Sequence, residues 1–228
     1  MNDAGVDGDE AEARQWRTAR AAILLMGDSG LRRDEAAYAR HEDLRREDLH
    51  RSPRGSGGAA VWALTVTGKR RKQRTVPVSA ATVRALREHW ADRGRDFDAP
   101  LDSAPLIVPL VIPETRTALN KHGGAVEAPH TTDAFGHLVR QAIQRLTVEF
   151  GGRADIPTED LAQLANTSAH AFRHTFGTRA VARDMPVDVV QAILGHASLQ
   201  TTSIYVRAEQ QRMLEAAAQY YAADDGPG

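Results

Sequence analysis

The 228-residue sequence contains no cysteine. That excludes a disulfide framework, a Cys-ligated zinc site, an iron–sulfur cluster and a thiol nucleophile. Aromatic residues make up only 5% of the chain. Its core must therefore rest on Leu, Val, Ile and Ala, a composition that leans toward helices. No apolar run approaches the roughly 20 residues needed to span a bilayer. Met1 to Glu12 has no basic stretch followed by an apolar one, so no secretory signal is expected and a cytoplasmic protein is. A strong charge of one sign is missing too, because the net charge is −1. With 42% hydrophobic and 26% charged residues, the composition is that of a globular domain with a sizeable core.

The near-zero net charge hides an uneven distribution. Asp3, Asp7, Asp9, Glu10 and Glu12 occupy the first twelve residues with no Lys or Arg, and Asp224 and Asp225 lie near the end. Outside these seven acids, 29 basic residues face 23 acidic ones, and five of the six residues from Lys69 to Arg74 are basic. A neutral chain can thus carry a positive face suited to a polyanion. Two solvated acidic tails and one charged turn fit the same composition.

Periodicity lays out an α+β domain, mostly helical, with a small antiparallel β-sheet in the N-terminal third. Residues 1–11 are acidic and Gly-rich and are read as a disordered tail, as are 223–228. From Glu12 to Met26, Trp16, Ala19, Ile23 and Leu24 recur at helical spacing, and Gly27, Ser29 and Gly30 end that helix. A second helix is predicted over 32–40 and a loop over 51–58. Val61–Thr67 and Thr75–Val78 predict a hairpin whose tip is Gly68–Gln73. Ser79 is the expected N-cap of a helix over 80–91. Leu106–Ile112, broken by Pro109, predicts a buried extended segment, followed by a loop over 113–129. Helices are expected over 131–148, 159–165, 169–183, 187–194, 198–207 and 209–222, with Pro186 in the first turn of the fourth. The last sets Met213, Leu214, Ala217, Tyr220 and Tyr221 in an apolar stripe, which packs either on its own domain or on a neighbour.

His170, Arg173 and His174 stand at i, i+3 and i+4, so the three side chains share one helix face. Two His and one Arg suit an anion site; a solvated polar face is the plainer reading. The spacing of the two His also fits half a zinc site, but the zinc-protease pattern requires a Glu after the first His, and that position is Ala171. Elsewhere stand Gly30-Leu31-Arg32 with Glu35 three residues on, Lys69 after Gly68 in the hairpin turn, Leu194-Gly195-His196, and Tyr205 nine residues beyond that His. Each fragment alone is weak.

In this order and combination they resemble the catalytic domain of the tyrosine recombinases, the phage integrase family, over about residues 12–222. The resemblance implies an enzyme that cuts and rejoins DNA through a 3′-phosphotyrosine intermediate, with no metal and no cofactor. Arg32 and Arg173 would hold the non-bridging oxygens of the scissile phosphate, since guanidinium forks bind two oxygens at once and do not lose charge. His170 and His196 would add hydrogen bonds, and His170 a proton relay. Tyr205 would be the nucleophile and Lys69 the general acid for the departing 5′-oxygen. Lys72 is a rival for Lys69, and Tyr220 and Tyr221 are rivals for Tyr205. Glu35 and His174 would support the cluster from behind, and Arg70, Arg71, Lys72 and Arg74 would touch DNA.

The partner implied is double-stranded DNA, joined by other protomers through the C-terminal helix, and the location implied is nucleoid-associated cytoplasm. A type IB topoisomerase shares the Arg, Lys, His and Tyr chemistry and is an alternative, although the Leu-Gly-His box and short hairpin favour the recombinase. A non-catalytic DNA-binding relic is a third reading. Only about thirty residues precede Arg32, so the family's helical core-binding domain is absent from this sequence; a fragment of a longer integrase is expected, with a free-standing catalytic domain as the alternative.

Overall fold

The structure is a computed structural model and describes residues 3–48, 60–68, 71–100, 103–110 and 128–195. Helix α1 (Asp3–Gly27) leads through a short turn to α2 (Arg33–Ala37), then to strands β1 (Leu44–Asp48), β2 (Ala60–Thr67) and β3 (Gln73–Val78). Helices α3 (Ala80–Ala91), α4 (Thr132–Phe150), α5 (Thr158–Ala165), α6 (Ala169–Ala182) and α7 (Val187–Leu194) follow. This is the α+β arrangement read from the sequence, with the sheet early in the chain.

The spine is α1, which packs against α2, α3, α4 and α6. Its inward face is Ala21, Ala22, Leu25 and Met26, all fully buried. Alanines let the neighbouring helices approach closely, and this is how a chain poor in aromatics closes its core. Arg17 forks onto Asp92 (2.8 Å from each donor) and locks α1 to the end of α3. The helix begins well before Glu12, so residues 3–11 are helical rather than the disordered tail expected. Acidic residues in a first turn complement the helix dipole, and Glu10 accepts from Arg14 (3.2 Å) and Arg17 (2.7 Å).

The sheet has the order β1-β2-β3, antiparallel throughout. The hairpin pairs Trp62 with Val78 and Thr67 with Gln73. Leu64, Val66, Val76 and Val78 face the core while alternate positions face out, the period-2 pattern of a half-buried sheet. Strand β1 was not foreseen: its sequence Leu-Arg-Arg-Glu-Asp lacks the β-branched and aromatic residues that mark strands. It is an edge strand anchored by Leu44 opposite Leu64, and charged side chains are a usual guard on such an edge. Ser79 caps α3 by accepting from Thr82 N–H. Leu106, Ile107 and Val108 are buried as expected. Their segment is held by Trp90 Nε1–H to Leu106 C=O (2.9 Å) and by Leu106 N–H to Ala39 C=O (2.9 Å). Among the described residues no helix is long and apolar enough to cross a membrane.

His89 on α3 sits in this core with no exposed surface. Val108 N–H donates to its Nε2 (3.3 Å), so Nδ1 carries the proton and donates to Thr18 Oγ1 (3.0 Å), which in turn donates to Arg14 C=O. Burial, then the nearby Arg93 charge, push this imidazole down to about 3. A folded pKa below the unfolded 6.5 means the unfolded chain takes the proton first. The stabilising effect is therefore complete above about pH 6.5 and is lost as pH falls toward 3. Between pH 6.5 and about 5, above the carboxylate range, urea-unfolding stability should drop by about 1 kcal/mol per pH unit. His89→Gln should flatten that slope, and an unchanged slope would place the titrating group elsewhere.

Candidate active site

Three segments meet behind Arg32. The turn after α1 ends at Gly30, whose φ is +65°; a Cβ there would lie 2.7 Å from the Phe176 ring and 2.8 Å from Leu194. Only glycine lets this turn approach both α6 and the end of α7 so closely. Arg32 follows as the N-cap of α2. Its N–H and its Nη1 both donate to Glu35 (2.8 Å each), and its Nη2 reaches Gly195 C=O (3.3 Å).

Glu35 is the hub. Its carboxylate has no exposed surface and also receives Arg74 as a fork, Nη1 at 2.6 Å and Nη2 at 2.7 Å. Burial pushes the carboxyl up, but the Arg74 fork, the Arg32 N–H and the Arg32 guanidinium outweigh it and hold the pKa down to about 2. Arg74 Nε donates to Ile193 C=O (2.7 Å). One ion pair thus joins strand β3, α2 and the C-terminal end of α7. Gly68 lies against the same pair: a Cβ on it would sit 3.1 Å from Glu35 Oε1 and 3.2 Å from Arg74 Nη1. This corrects one expectation. Arg74, read as a DNA contact, turns inward with a side chain only 12% exposed, because a buried carboxylate and a helix-end carbonyl both need a planar donor. Glu35 lies behind Arg32 and Arg74, bonded to both.

Arg173 on α6 is 4% exposed. It donates Nη1 to Gly30 C=O (2.6 Å) and Nη2 to Leu194 C=O, so it ties the Arg32 turn to the last residue of α7. His170 and His174, one turn apart on the same helix, are exposed, with ring centroids 4.4 Å apart edge to face. Partial burial, then His174, Arg173 and Arg32, hold His170 below the ordinary imidazole value. Arg32, His170 and Arg173 line one cleft of about 540 Å³ to which, among the described residues, no Asp or Glu contributes. Among the described residues no group of three His, Cys, Asp or Glu stands close enough to hold a metal, so the His170–His174 pair finds no third ligand there. The cleft also takes Arg33 and Arg140, neither read from the sequence. The available signal was Gly136, a mid-helix glycine four residues before Arg140 on the same face of α4.

The phage integrase family model matches residues 9–212. The chain belongs to the phage integrase family. Among its relatives, the tyrosine recombinase XerC of Nitrobacter winogradskyi is 29% identical over 208 residues, which cover 91% of this chain and 51% of that protein. XerC of Chlorobaculum parvum is 28% identical over 211 residues, 92% of this chain and 51% of the relative. The chain therefore spans about half the length of these relatives. The XerH recombinase, solved in a pre-cleavage complex with its difH substrate, matches with a TM-score of 0.54 at 22% identity over 90% of this chain and 47% of that one. The XerA recombinase matches with a TM-score of 0.50 at 21% identity over 93% and 63%. These likenesses show a shared fold.

Of the residues expected from the integrase pattern, Arg32, His170 and Arg173 line this cleft, Glu35 holds Arg32 from behind, and His174 stands edge to face with His170. Arg71 and Lys72 are exposed on the hairpin turn, which Gly68 N–H closes onto Lys72 C=O (2.9 Å). Lys69, Arg70, His196 and Tyr205 lie outside the described residues, as do the helices expected over 198–207 and 209–222.

Proposed function

We propose that this chain is the catalytic domain of a tyrosine-type site-specific recombinase that cuts and rejoins duplex DNA. The observation that carries the reading is the convergence of Arg32, Arg173 and His170 on one cleft lined by no Asp or Glu among the described residues, backed by a buried Glu35–Arg74 pair. Such a cleft suits a phosphodiester, whose two non-bridging oxygens gain charge in the transition state. The Tyr205 oxygen attacks the phosphorus, a bond forms from phosphorus to tyrosine, and the bond to the 5′-oxygen breaks. The tyrosine proton passes to His170, whose lowered pKa keeps it neutral and able to accept at pH 7. Lys69 supplies a proton to the departing 5′-oxygen, and His196 adds a hydrogen bond to the phosphate. The phosphotyrosine keeps the energy of the phosphodiester, so attack by a 5′-hydroxyl reseals the strand without ATP. Duplex DNA and further protomers are the partners in this reading, with the stripe over 209–222 packing on a neighbour.

The test is a covalent protein–DNA adduct on a pool of duplexes nicked beside the cut, so that the short 5′ product diffuses away. The adduct should form in excess EDTA and without nucleotide. A strict need for magnesium or manganese in the cleavage step would contradict the mechanism. Lys69→Ala should lose the adduct on ordinary DNA and regain it on a 5′-phosphorothiolate pool, because sulfur leaves without a proton. If Lys72→Ala shows that rescue instead, the general acid is three residues further along the turn.

A further inference from the structure

We propose that Arg33 and Arg140 form a second phosphate seat in the cleft, holding a DNA backbone phosphate other than the one being cut. The inference rests on the DNA-cutting reading above. Arg32 and Arg33 are adjacent in sequence, yet their side chains part. Arg32 turns to Glu35 and Gly195, while Arg33 lies on α4. A Cβ on Gly136 would stand 2.9 Å from Arg33 Nη1 and 3.0 Å from its Cδ. A glycine inside a helix costs about 1 kcal/mol relative to alanine, and here its bare face makes room for a guanidinium. Arg140 is the next residue on that face and is exposed.

Neither arginine carries a strong structural duty. Arg33 meets Asp133 at 3.6 Å, and that carboxylate is 95% exposed, so the pair is worth little. Among the described residues no ion pair engages Arg140. Both line the same cleft as Arg32, His170 and Arg173, with Asn166 and Thr167 as neutral neighbours. Two further guanidinium groups beside the Arg32–Arg173 phosphate site match a polyanion that presents phosphates in series. They supply charge and hydrogen bonds without reading base edges, so the seat is indifferent to sequence.

The experiment measures binding of a fluorescein-labelled duplex of mixed sequence across a KCl series. Each lost phosphate contact reduces the slope of log K against log salt by about 0.9. Arg33→Gln and Arg140→Gln should each show that reduction, and the double variant about twice as much, with the wild-type melting temperature retained. Arg87→Gln, which removes a guanidinium outside the cleft that pairs with exposed Asp98 (2.7 Å) and lies over the Trp62 and Phe97 rings, should leave the slope unchanged. Asp133→Asn should tighten binding about two- to fivefold at low salt by releasing Arg33, a gain that misfolding does not mimic. Salt plots that stay parallel for wild type and the double variant overturn the seat, and so does a reduction that Arg87→Gln reproduces. If the wild type itself does not bind the duplex, the recombinase reading falls first and the seat with it.

Discussion

Arg173→Lys should slow covalent adduct formation at least about a hundredfold, the loss typical of removing one well-placed transition-state donor. The guanidinium is almost fully buried and is oriented by Gly30 C=O on one side and Leu194 C=O on the other. A lysine keeps the charge but has no planar fork. It cannot satisfy two carbonyls and still face the cleft in a fixed direction. Because those carbonyls belong to the Arg32 turn and to the end of α7, the substitution should also lower stability. Arg32→Lys separates the two effects: its side chain is 34% exposed, so the fold should tolerate the change better while adduct formation falls by a similar factor. Single-turnover kinetics at saturating DNA, read beside urea unfolding, measure both. A near-normal rate for either variant would contradict the phosphate clamp.

Glu35→Ala should cost about 3–5 kcal/mol of folding stability, the range for leaving a buried ionic partner uncompensated. Four donor contacts end on this carboxylate, two from Arg74 and two from Arg32. Without it, the largely buried Arg74 guanidinium keeps only the Ile193 carbonyl among these contacts. The pair should also be strongly coupled. In a double-mutant cycle, Glu35→Ala with Arg74→Ala should destabilise far less than the sum of the single changes. Additive losses would show that the hub works as two independent contacts. Adduct formation should fall in Glu35→Ala and in the double variant, where Arg32 loses the partner that fixes its direction.

The sequence was legible wherever local rules and tertiary packing agree. The hairpin alternates cleanly, Ser79 announces α3, and α6 and α7 appear within a residue of their predicted spans. It was not legible where a residue's partner comes from a distant segment. Strand β1 is mostly charge, and only pairing with β2 makes it a strand. Arg74 lies in a basic run, and charge alone says nothing of direction; its partner Glu35 is 39 residues away. Arg33 was hidden by Arg32, whose place beside Gly-Leu drew all the chemistry. Its role depends on space left by Gly136, about a hundred residues on, which no local pattern reveals. The start of α1 is not legible either, because its acidic and glycine residues have the composition of a solvated tail, whereas the Glu10–Arg14–Arg17 contacts support helix.

The central claim is that Tyr205 becomes joined to the 3′-phosphate of a cut strand. The direct measurement is to trap the adduct on a nicked duplex, digest it with protease and nuclease, and locate the nucleotide-bearing peptide by mass spectrometry. The account predicts a peptide modified at Tyr205 by a nucleotide attached through its 3′-phosphate, with no adduct from Tyr205→Phe under the same conditions. A nucleotide on Tyr38, Tyr220 or Tyr221, a 5′-phosphate linkage, or an undiminished adduct from Tyr205→Phe would contradict it.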